Sequence, residues 1–331
     1  MGQPVSGRAP TRTHRHSINP PGLPWALPVI TVESSTDGPR AAICANLHGD
    51  ECIGIGVVHA LVESLPSALL RGSVRLYPSL NPEGLRAGAR RMPGESVDLN
   101  RAFPGDARGS SADRAAHAVW HDLLGFGPEL VLDLHADSSA SIPYAILDRL
   151  ITARDPERQR RLTRLERLAR ASGLTLVWDY PDALYRRFHL DRSLAGALLN
   201  HGRIEAFTLE LGPRRLIAPD AVEAGVDAVL GVLGSIGLMA SAGTEHPSRV
   251  AGGPWRRDSG PTPRKAGVLR PHHSPGTLLE PGQLLASIHG LDGGLRERLV
   301  VPTRSLVLSL SEQAWIAPGA SVTTLAVPDS P

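Results

Sequence analysis

The chain has 331 residues, 41% of them hydrophobic, which is enough for one large domain and a smaller second one. Its 35 basic and 33 acidic residues leave a formal net charge of +2, so bulk charge gives no argument for a nucleic-acid partner. The chain lacks both a membrane-length apolar stretch and the apolar region of a secretory signal, and its two cysteines make no disulfide framework. We therefore expect a cytoplasmic protein that does not bind membranes.

The sequence divides into three predicted regions. Residues 1–24 are rich in Pro, Gly, Arg and Ser and are expected to be disordered. Residues 25–242 alternate apolar runs with helical patterns, and residues 243–331 comprise a linker and a small β domain. The middle region is the predicted main domain.

Within the main domain, five apolar runs predict strands and four helical patterns lie between them. This alternation predicts an α/β fold with a largely parallel, buried sheet flanked by helices. The strands are predicted at Val29–Val32, Ala41–Leu47, Val74–Tyr77, Leu130–Leu134 and Ala206–Leu211, and the helices near 53–65, 112–124, 156–171 and 219–239.

The C-terminal region has a different pattern. Residues 241–265 show no sustained apolar period and predict a linker. Short apolar runs separated by Gly and Pro follow, which is typical of an all-β domain. These runs are Gly267–Leu269, Leu284–Ile288, Leu299–Val301, Leu306–Leu310 and Val322–Ala326.

The strongest chemical signal is the segment from Asn46 to Glu51, where a predicted strand ends and a helix begins. His48 offers an imidazole nitrogen and Glu51 a carboxylate, and Gly49 permits a sharp backbone between them. Ligand sites of α/β sheets form at the carboxyl ends of strands. On its own, the pair is also compatible with a polar loop that caps a helix.

Two further polar residues stand at strand ends. His135 ends the apolar run that begins at Leu130, and with His48 and Glu51 it completes a two-histidine, one-carboxylate set typical of catalytic zinc. Glu210 lies near the end of the next predicted strand, where a carboxylate must be paired, metal-bound or catalytic. We interpret Glu210 as the base that takes a proton from water.

A run of polar residues lies between these motifs. Arg90 or Arg91, and Arg101, offer planar guanidinium groups that suit a carboxylate. Asn100 adds amide donors, and Asp98 is placed to brace His48.

Taken together, these motifs resemble the succinylglutamate desuccinylase/aspartoacylase family of the zinc carboxypeptidase superfamily. The resemblance covers about residues 40–326. The motifs follow the family's order: HGDE at 48–51, the arginine pair at 90–91, DLNR at 98–101, DLH at 133–135 and ELG at 210–212.

The resemblance implies a zinc-carboxypeptidase-like fold and one zinc ion per chain, bound by His48, Glu51 and His135. It also implies a general base, a residue that polarises the scissile carbonyl, a carboxylate-binding pair and a residue that orients the first histidine. The general base is Glu210, and Arg91 or its neighbour Arg90 polarises the carbonyl. Asn100 and Arg101 bind the carboxylate, and Asp98 orients His48.

The C-terminal β region resembles the family's second domain, which has a biotinyl/lipoyl-like barrel-sandwich shape. Because Lys265 lies before this domain, it is not a modifiable lysine at a hairpin tip, and we expect the domain to cap the active site. The family places another substrate-binding residue between the third ligand and the base. Four candidates remain open: Tyr185, Arg186, Arg187 and Arg192.

The leading functional hypothesis is a zinc-dependent amidohydrolase that cleaves the linear amide bond of a small N-acyl amino acid. The alternative is a metallocarboxypeptidase that removes the C-terminal residue of a short peptide, and a zinc-binding scaffold without catalysis is a third reading. The sequence leaves open the acyl group, the amino acid, the pathway and whether the chain forms homo-oligomers.

Overall fold

The computed structural model describes residues 10–152, 154–240, 246–247, 249–250 and 253–329. Two sheets are present in this part of the chain, one of twelve strands and one of four. The strands are β1 (Thr11–Ile18), β2 (Leu27–Ser34), β3 (Arg40–Ala45), β4 (Ser73–Tyr77), β5 (Leu130–His135), β6 (Tyr144–Leu147), β7 (Thr175–Trp178), β8 (Glu205–Glu210), β9 (Trp255–Asp258), β10 (Gly267–Pro271), β11 (Leu278–Leu279), β12 (Leu284–His289), β13 (Leu295–Val300), β14 (Ser305–Leu310), β15 (Trp315–Ile316) and β16 (Thr323–Pro328).

Helices cover both faces of the large sheet. They are α1 (Ile53–Ala68), α2 (Pro82–Ala87), α3 (Ser111–Phe126), α4 (Glu157–Arg170), α5 (Asp182–Arg187), α6 (Leu194–Ala197) and α7 (Pro219–Ser235), with short helical turns at Leu99–Arg101, Leu190–Arg192 and Leu198–Gly202. No helix in the described ranges is long and apolar enough to cross a bilayer.

The centre of the large sheet is parallel, with the order β4-β3-β5-β8. Antiparallel strands flank this centre, since β2 pairs with β4 and β6 pairs with β8. The mixed α/β fold predicted from the sequence is therefore confirmed. Because the four central strands point the same way, their carboxyl ends meet at one edge, where the polar motifs follow them.

Alternate residues of the central strands face two separate apolar layers. In β3, Ile43 packs into the cluster that contains α1, α4 and α7, whereas Ala42 and Cys44 face the cluster that contains α3. The strand is buried on both faces, which explains why its sequence is continuously apolar instead of alternating.

The expectation of a disordered segment over 1–24 is wrong for its described part. Thr11–Ile18 form β1, which pairs with β2 in an antiparallel register from Thr11↔Ser34 to Ile18↔Leu27. Its side chains are almost all exposed, so the strand is held by main-chain hydrogen bonds and leaves no apolar pattern. A polar strand of this kind is typical of a sheet edge. Residues 1–9 lie outside the described residues.

The C-terminal region is all-β, as predicted, but it shares its sheet with the main domain. Strand β9 pairs with β7, and β16, β14 and β11 extend the large sheet beyond it. The remaining strands, β13, β12, β10 and β15, form the smaller sheet. Strand β9 lies inside the predicted linker, a segment whose sequence has no apolar period that would predict a strand.

Candidate active site

The loop that follows β3 is organised by one buried side chain. Asn46 adopts a φ of 57°, a conformation that Asn tolerates better than most residues. Its amide nitrogen donates to the carbonyls of His48, Gly49 and Glu51 at 2.9–3.1 Å. The Ser79 hydroxyl donates to the amide oxygen of Asn46 at 2.7 Å. These bonds order the loop that carries the two candidate ligands, His48 and Glu51.

Gly49 is needed for space rather than for an unusual backbone angle. Its φ is not positive, in contrast to the sharp turn expected from the sequence. A Cβ at this position would lie 2.0 Å from the carbonyl carbon of Gly84 and 2.3 Å from the nitrogen of Leu85. The loop therefore packs directly on the backbone of α2.

The structure brings His48, Glu51 and His135 together. Nδ1 of His48 lies 2.9 Å from Oε1 of Glu51, and Nδ1 of His135 lies 2.7 Å from Oε2. The three side chains are 3–5% exposed, and one ligand atom from each lies within 4.8 Å of the others. This is the one group of metal-ligand type found among the described residues.

The outer nitrogen of each imidazole is held by a carboxylate. Nε2 of His48 lies 3.2 Å from Asp98, and Nε2 of His135 lies 2.9 Å from Asp133. A proton on each Nε2 leaves both Nδ1 lone pairs directed at the space shared with Glu51, which is the arrangement that metal-binding histidines require. Asp133 shares the strand face of His135 two residues away, a spacing that the sequence analysis did not use.

Electrostatics favour a positive charge at this point. Burial alone would raise the pKa of Glu51, but His48 and His135 outweigh it and hold the pKa well below its usual range. Burial likewise opposes a charged His135, yet Asp133 and Glu51 raise its pKa well above the usual value. A divalent cation would supply the positive charge that these carboxylates stabilise, so the residues fit a metal ion.

Of the two adjacent arginines, Arg90 faces the site. Its Nε and Nη2 donate to Asp98 Oδ2 at 3.1 and 3.0 Å, and its Nη1 lies 3.4 Å from Oε1 of Glu51. Arg91, named first in the sequence analysis, is exposed and does not line the cleft. Of the two arginines, Arg90 is therefore the one that contacts Asp98 and Glu51.

Asn100 and Arg101 lie on the helical turn Leu99–Arg101. This turn is beside the candidate metal ligands His48, Glu51 and His135, which we call the ligand group. Asn100 is buried, and its amide oxygen accepts from the Leu194 nitrogen at 2.7 Å. The Arg101 guanidinium donates to two backbone carbonyls, those of Phe188 and Asn100. Both side chains line the cleft that contains the candidate ligands.

Glu210 ends β8 next to the last residue of β5, since His135 and Glu210 are register partners. Its Oε2 is buried and has no hydrogen-bond partner among the described residues. Burial, with the negative charges of Glu51 and Asp137, raises the pKa of Glu210 to about 8. An unpartnered carboxylate at this position is available to exchange a proton.

The cleft also contains charged residues that the sequence analysis missed. Asp148 and Asp179 follow β6 and β7, Arg257 comes from β9, and Arg214 follows the ELG motif. Arg214 contacts Glu51 at 3.3 Å and thus reaches the ligand group. The proline and two arginines directly after ELG were the one signal that pointed to it.

None of the four residues left open for the substrate lines this cleft. Arg186, Arg187 and Arg192 are exposed. Tyr185 is fully buried, and its hydroxyl donates to Asp148 at 2.7 Å, so it supports a lining residue from behind.

Comparison with solved structures defines the class of fold. A metallo-carboxypeptidase from Burkholderia cenocepacia superposes with a TM-score of 0.52 at 15% identity, over 68% of this chain and 64% of that one. A succinylglutamate desuccinylase/aspartoacylase from Rhodobacter sphaeroides superposes with a TM-score of 0.81 at 20% identity, over 98% and 97% of the two chains. The fold is metallocarboxypeptidase-like.

The family follows from the sequence match. The model of the succinylglutamate desuccinylase/aspartoacylase catalytic domain matches residues 37–236, and the chain belongs to this family. The N-alpha-acetyl-L-2,4-diaminobutyric acid deacetylase of Halomonas elongata is 34% identical over 137 residues, 40% of this chain and 38% of that protein. A succinylglutamate desuccinylase of Pseudomonas aeruginosa is 27% identical over 224 residues, 64% and 63% of the two. The chain thus spans less than two thirds of these curated relatives.

Proposed function

We propose that this protein is a zinc-dependent amidohydrolase that cleaves the amide bond of an N-acyl amino acid. The observation that carries the proposal is the convergence of His48, Glu51 and His135 beside Glu210, whose Oε2 has no hydrogen-bond partner in the described part of the chain. Two histidines and one carboxylate form a catalytic zinc donor set, which leaves a coordination position for water. When bound, zinc lowers the pKa of water and polarises the scissile carbonyl.

The residues around the ligand group bind the substrate, stabilise developing charge and transfer the proton. Arg101 and Asn100 bind the carboxylate of the amino acid, and Arg90 stabilises the negative charge that develops on the carbonyl oxygen. Glu210 takes a proton from the attacking water and delivers it to the leaving nitrogen. Asp98 holds His48 and Arg90 in place through its two oxygens.

The size and the walls of the cleft favour a small substrate. The cleft is small, with a cavity volume of about 120 Å³. Arg257 of the C-terminal region lines it, and Glu312 of the same region lies 3.8 Å from Arg214. This enclosure supports an N-acyl amino acid over the alternative, a carboxypeptidase that admits a peptide. A non-catalytic zinc scaffold is the weakest reading, because the ligands and an adjacent base occur together.

The named relatives leave the side chain of the amino acid open. The Halomonas elongata protein is named for a diamino acid and the Pseudomonas aeruginosa protein for succinylglutamate, so the two substrates carry opposite side-chain charges.

A hydrolysis screen tests the proposal. Zinc-loaded protein is assayed on N-acetyl and N-succinyl amino acids and on short peptides with free C-termini, with zinc content measured in parallel. We expect release of the free amino acid from N-acyl amino acids. Cleavage of peptides alone would favour the carboxypeptidase, and stoichiometric zinc with no turnover on the whole panel would favour the scaffold.

The two adjacent arginines provide a matched test of the carbonyl assignment. We expect Arg90→Ala to lower kcat by about 10²–10³-fold, because its guanidinium stabilises charge that develops in the transition state. Arg91→Ala, an identical change at an exposed position, should leave kcat and KM almost unchanged. Steady-state kinetics and zinc content of both variants decide the matter. A larger loss in Arg91→Ala than in Arg90→Ala would reverse the assignment.

A further inference from the structure

One guanidinium in the cleft, that of Arg101, forms no ion pair within the described part of the chain. Arg101 has no carboxylate oxygen within 4.0 Å among the described residues, although burial is substantial enough to lower its pKa. The other three cleft arginines are paired: Arg90 with Asp98 at 3.0 Å, Arg214 with Asp50 at 3.7 Å and Arg257 with Asp179 at 3.6 Å. Arg101 is therefore the cation left for an anionic group of the substrate.

Asp148 is a carboxylate that likewise forms no ion pair among the described residues. It is 3% exposed, accepts one hydrogen bond from Tyr185, and has no cation within 4.0 Å among the described residues. The other carboxylates that line the cleft have partners or a proposed role. Glu51 contacts two histidines, Asp179 pairs with Arg257, and Asp137 accepts from the hydroxyls of Tyr144 and Thr324. Glu210 is the proposed base beside His135.

The surroundings of Asp148 make its negative charge costly. Burial, followed by the nearby charge of Asp179, raises the pKa of Asp148 to about 8. A buried carboxylate in this situation is stabilised by a cation that enters with a ligand. The Tyr185 hydroxyl, which already donates to one oxygen, holds the carboxylate in position to receive that cation.

Asp148 lies on the same face of the sheet as the candidate base. In the antiparallel pair of β6 and β8, Ile146 is opposite Thr208 and Tyr144 is opposite Glu210. Residues two apart share a face, so Glu210, Thr208, Ile146 and then Asp148 form one row. All four line the cleft. Asp148 directly follows the end of β6, two residues beyond Ile146.

We propose that Asp148 determines specificity by binding a cationic group at the end of the substrate's amino-acid side chain. The substrate class is an N-acyl diamino acid: its α-carboxylate contacts Arg101, its amide lies near Glu210, and its side chain extends along Thr208 and Ile146 to Asp148. This inference rests on the proposed amidohydrolase function and adds the charge of the side chain to it.

The test uses substrates of matched size and different charge. Zinc-loaded protein is assayed on Nα-acetyl-L-2,4-diaminobutyrate, its neutral isostere Nα-acetyl-L-norvaline and the acidic Nα-acetyl-L-aspartate. We expect kcat/KM to favour the cationic substrate over the isostere by about tenfold or more. Asp148→Asn, which keeps the shape and removes the charge, should lower that ratio by about tenfold or more. Asp37→Asn, the same change at an exposed position, should leave the ratio unchanged.

Other outcomes overturn the inference. A wild-type preference for the neutral or acidic substrate would do so, as would an Asp148→Asn variant that loses activity on both substrates by the same factor. Calorimetry of free L-2,4-diaminobutyrate and L-norvaline with the wild-type protein gives a readout that needs neither turnover nor a folded variant. Tighter binding of norvaline would reject the inference, whereas failure to hydrolyse any N-acyl amino acid would reject the proposed function instead.

Discussion

Replacing Glu210 with Gln is expected to lower kcat by about 10²–10⁴-fold, the range of general acid–base assistance. Glutamine has nearly the same shape, so the protein should stay folded and keep its metal. The loss arises because an amide cannot accept a proton from water or pass it to the leaving nitrogen. Glu210 Oε2 has no partner among the described residues, so the change breaks no structural hydrogen bond at that atom.

The pH dependence of the reaction gives a second readout. A general base works in its ionised form, so kcat/KM should fall on the acid side as Glu210 takes up a proton. Burial raises the pKa of Glu210 to about 8, and a bound cation acts in the opposite direction, which places the acid limb below that value. The Gln variant should lack the contribution of this group to the acid limb.

Glu63→Gln is the matched control for this variant, since Glu63 lies exposed on α1. Its kinetics and zinc content should equal those of the wild type. A folded, zinc-loaded Glu210→Gln protein with near-native turnover would exclude the base role. An unfolded or metal-free variant would instead indicate a structural role for Glu210.

We expect His135→Ala to lose bound zinc and to lower activity by about 10³-fold or more, because one of three protein ligands disappears and water is no longer activated. Elemental analysis and turnover measure the two effects. His121→Ala is the control: His121 packs on His117 in α3, with ring centroids 4.3 Å apart, and is exposed. Its zinc content should remain at one ion per chain.

Metal removal tests the same centre without a mutation. A chelator should abolish activity, added zinc should restore it, and zinc should raise the Tm because it binds the folded chain. A His135→Ala protein that retains stoichiometric zinc, or a chelated wild type that stays active, would refute the assignment.

The central strands and the ligand group could be predicted from sequence for a common physical reason. Strands buried on both faces are continuously apolar, so the polar residue that ends each one is conspicuous. His135 and Glu210 end two neighbouring parallel strands, and His48 and Glu51 lie on the loop after a third. Parallel strands bring their ends to one edge, so their convergence follows from the topology.

Other features depended on tertiary structure that no local pattern contains. The orientation of Arg90 and Arg91 is set by the loop that carries them, because adjacent residues of an irregular segment face different directions. Asp148 and Asp179 follow strands of only four residues, too short for a periodic signal. Arg257 lies in a segment with no apolar period, and its strand β9 joins the large sheet by pairing with β7.

The continuity of the large sheet limits how the chain can be shortened or recombined. Strand β9 pairs with β7 through Val177↔Trp255 and Trp178↔Arg256. A chain cut at residue 242 would leave one edge of β7 without its partner strand, and an open edge of this kind is a template for self-association. It would also remove Arg257 and leave Asp179 without its guanidinium. Exchange of C-terminal regions between homologous proteins should therefore preserve β9 with the main domain, and a shortened chain should extend past Asp258.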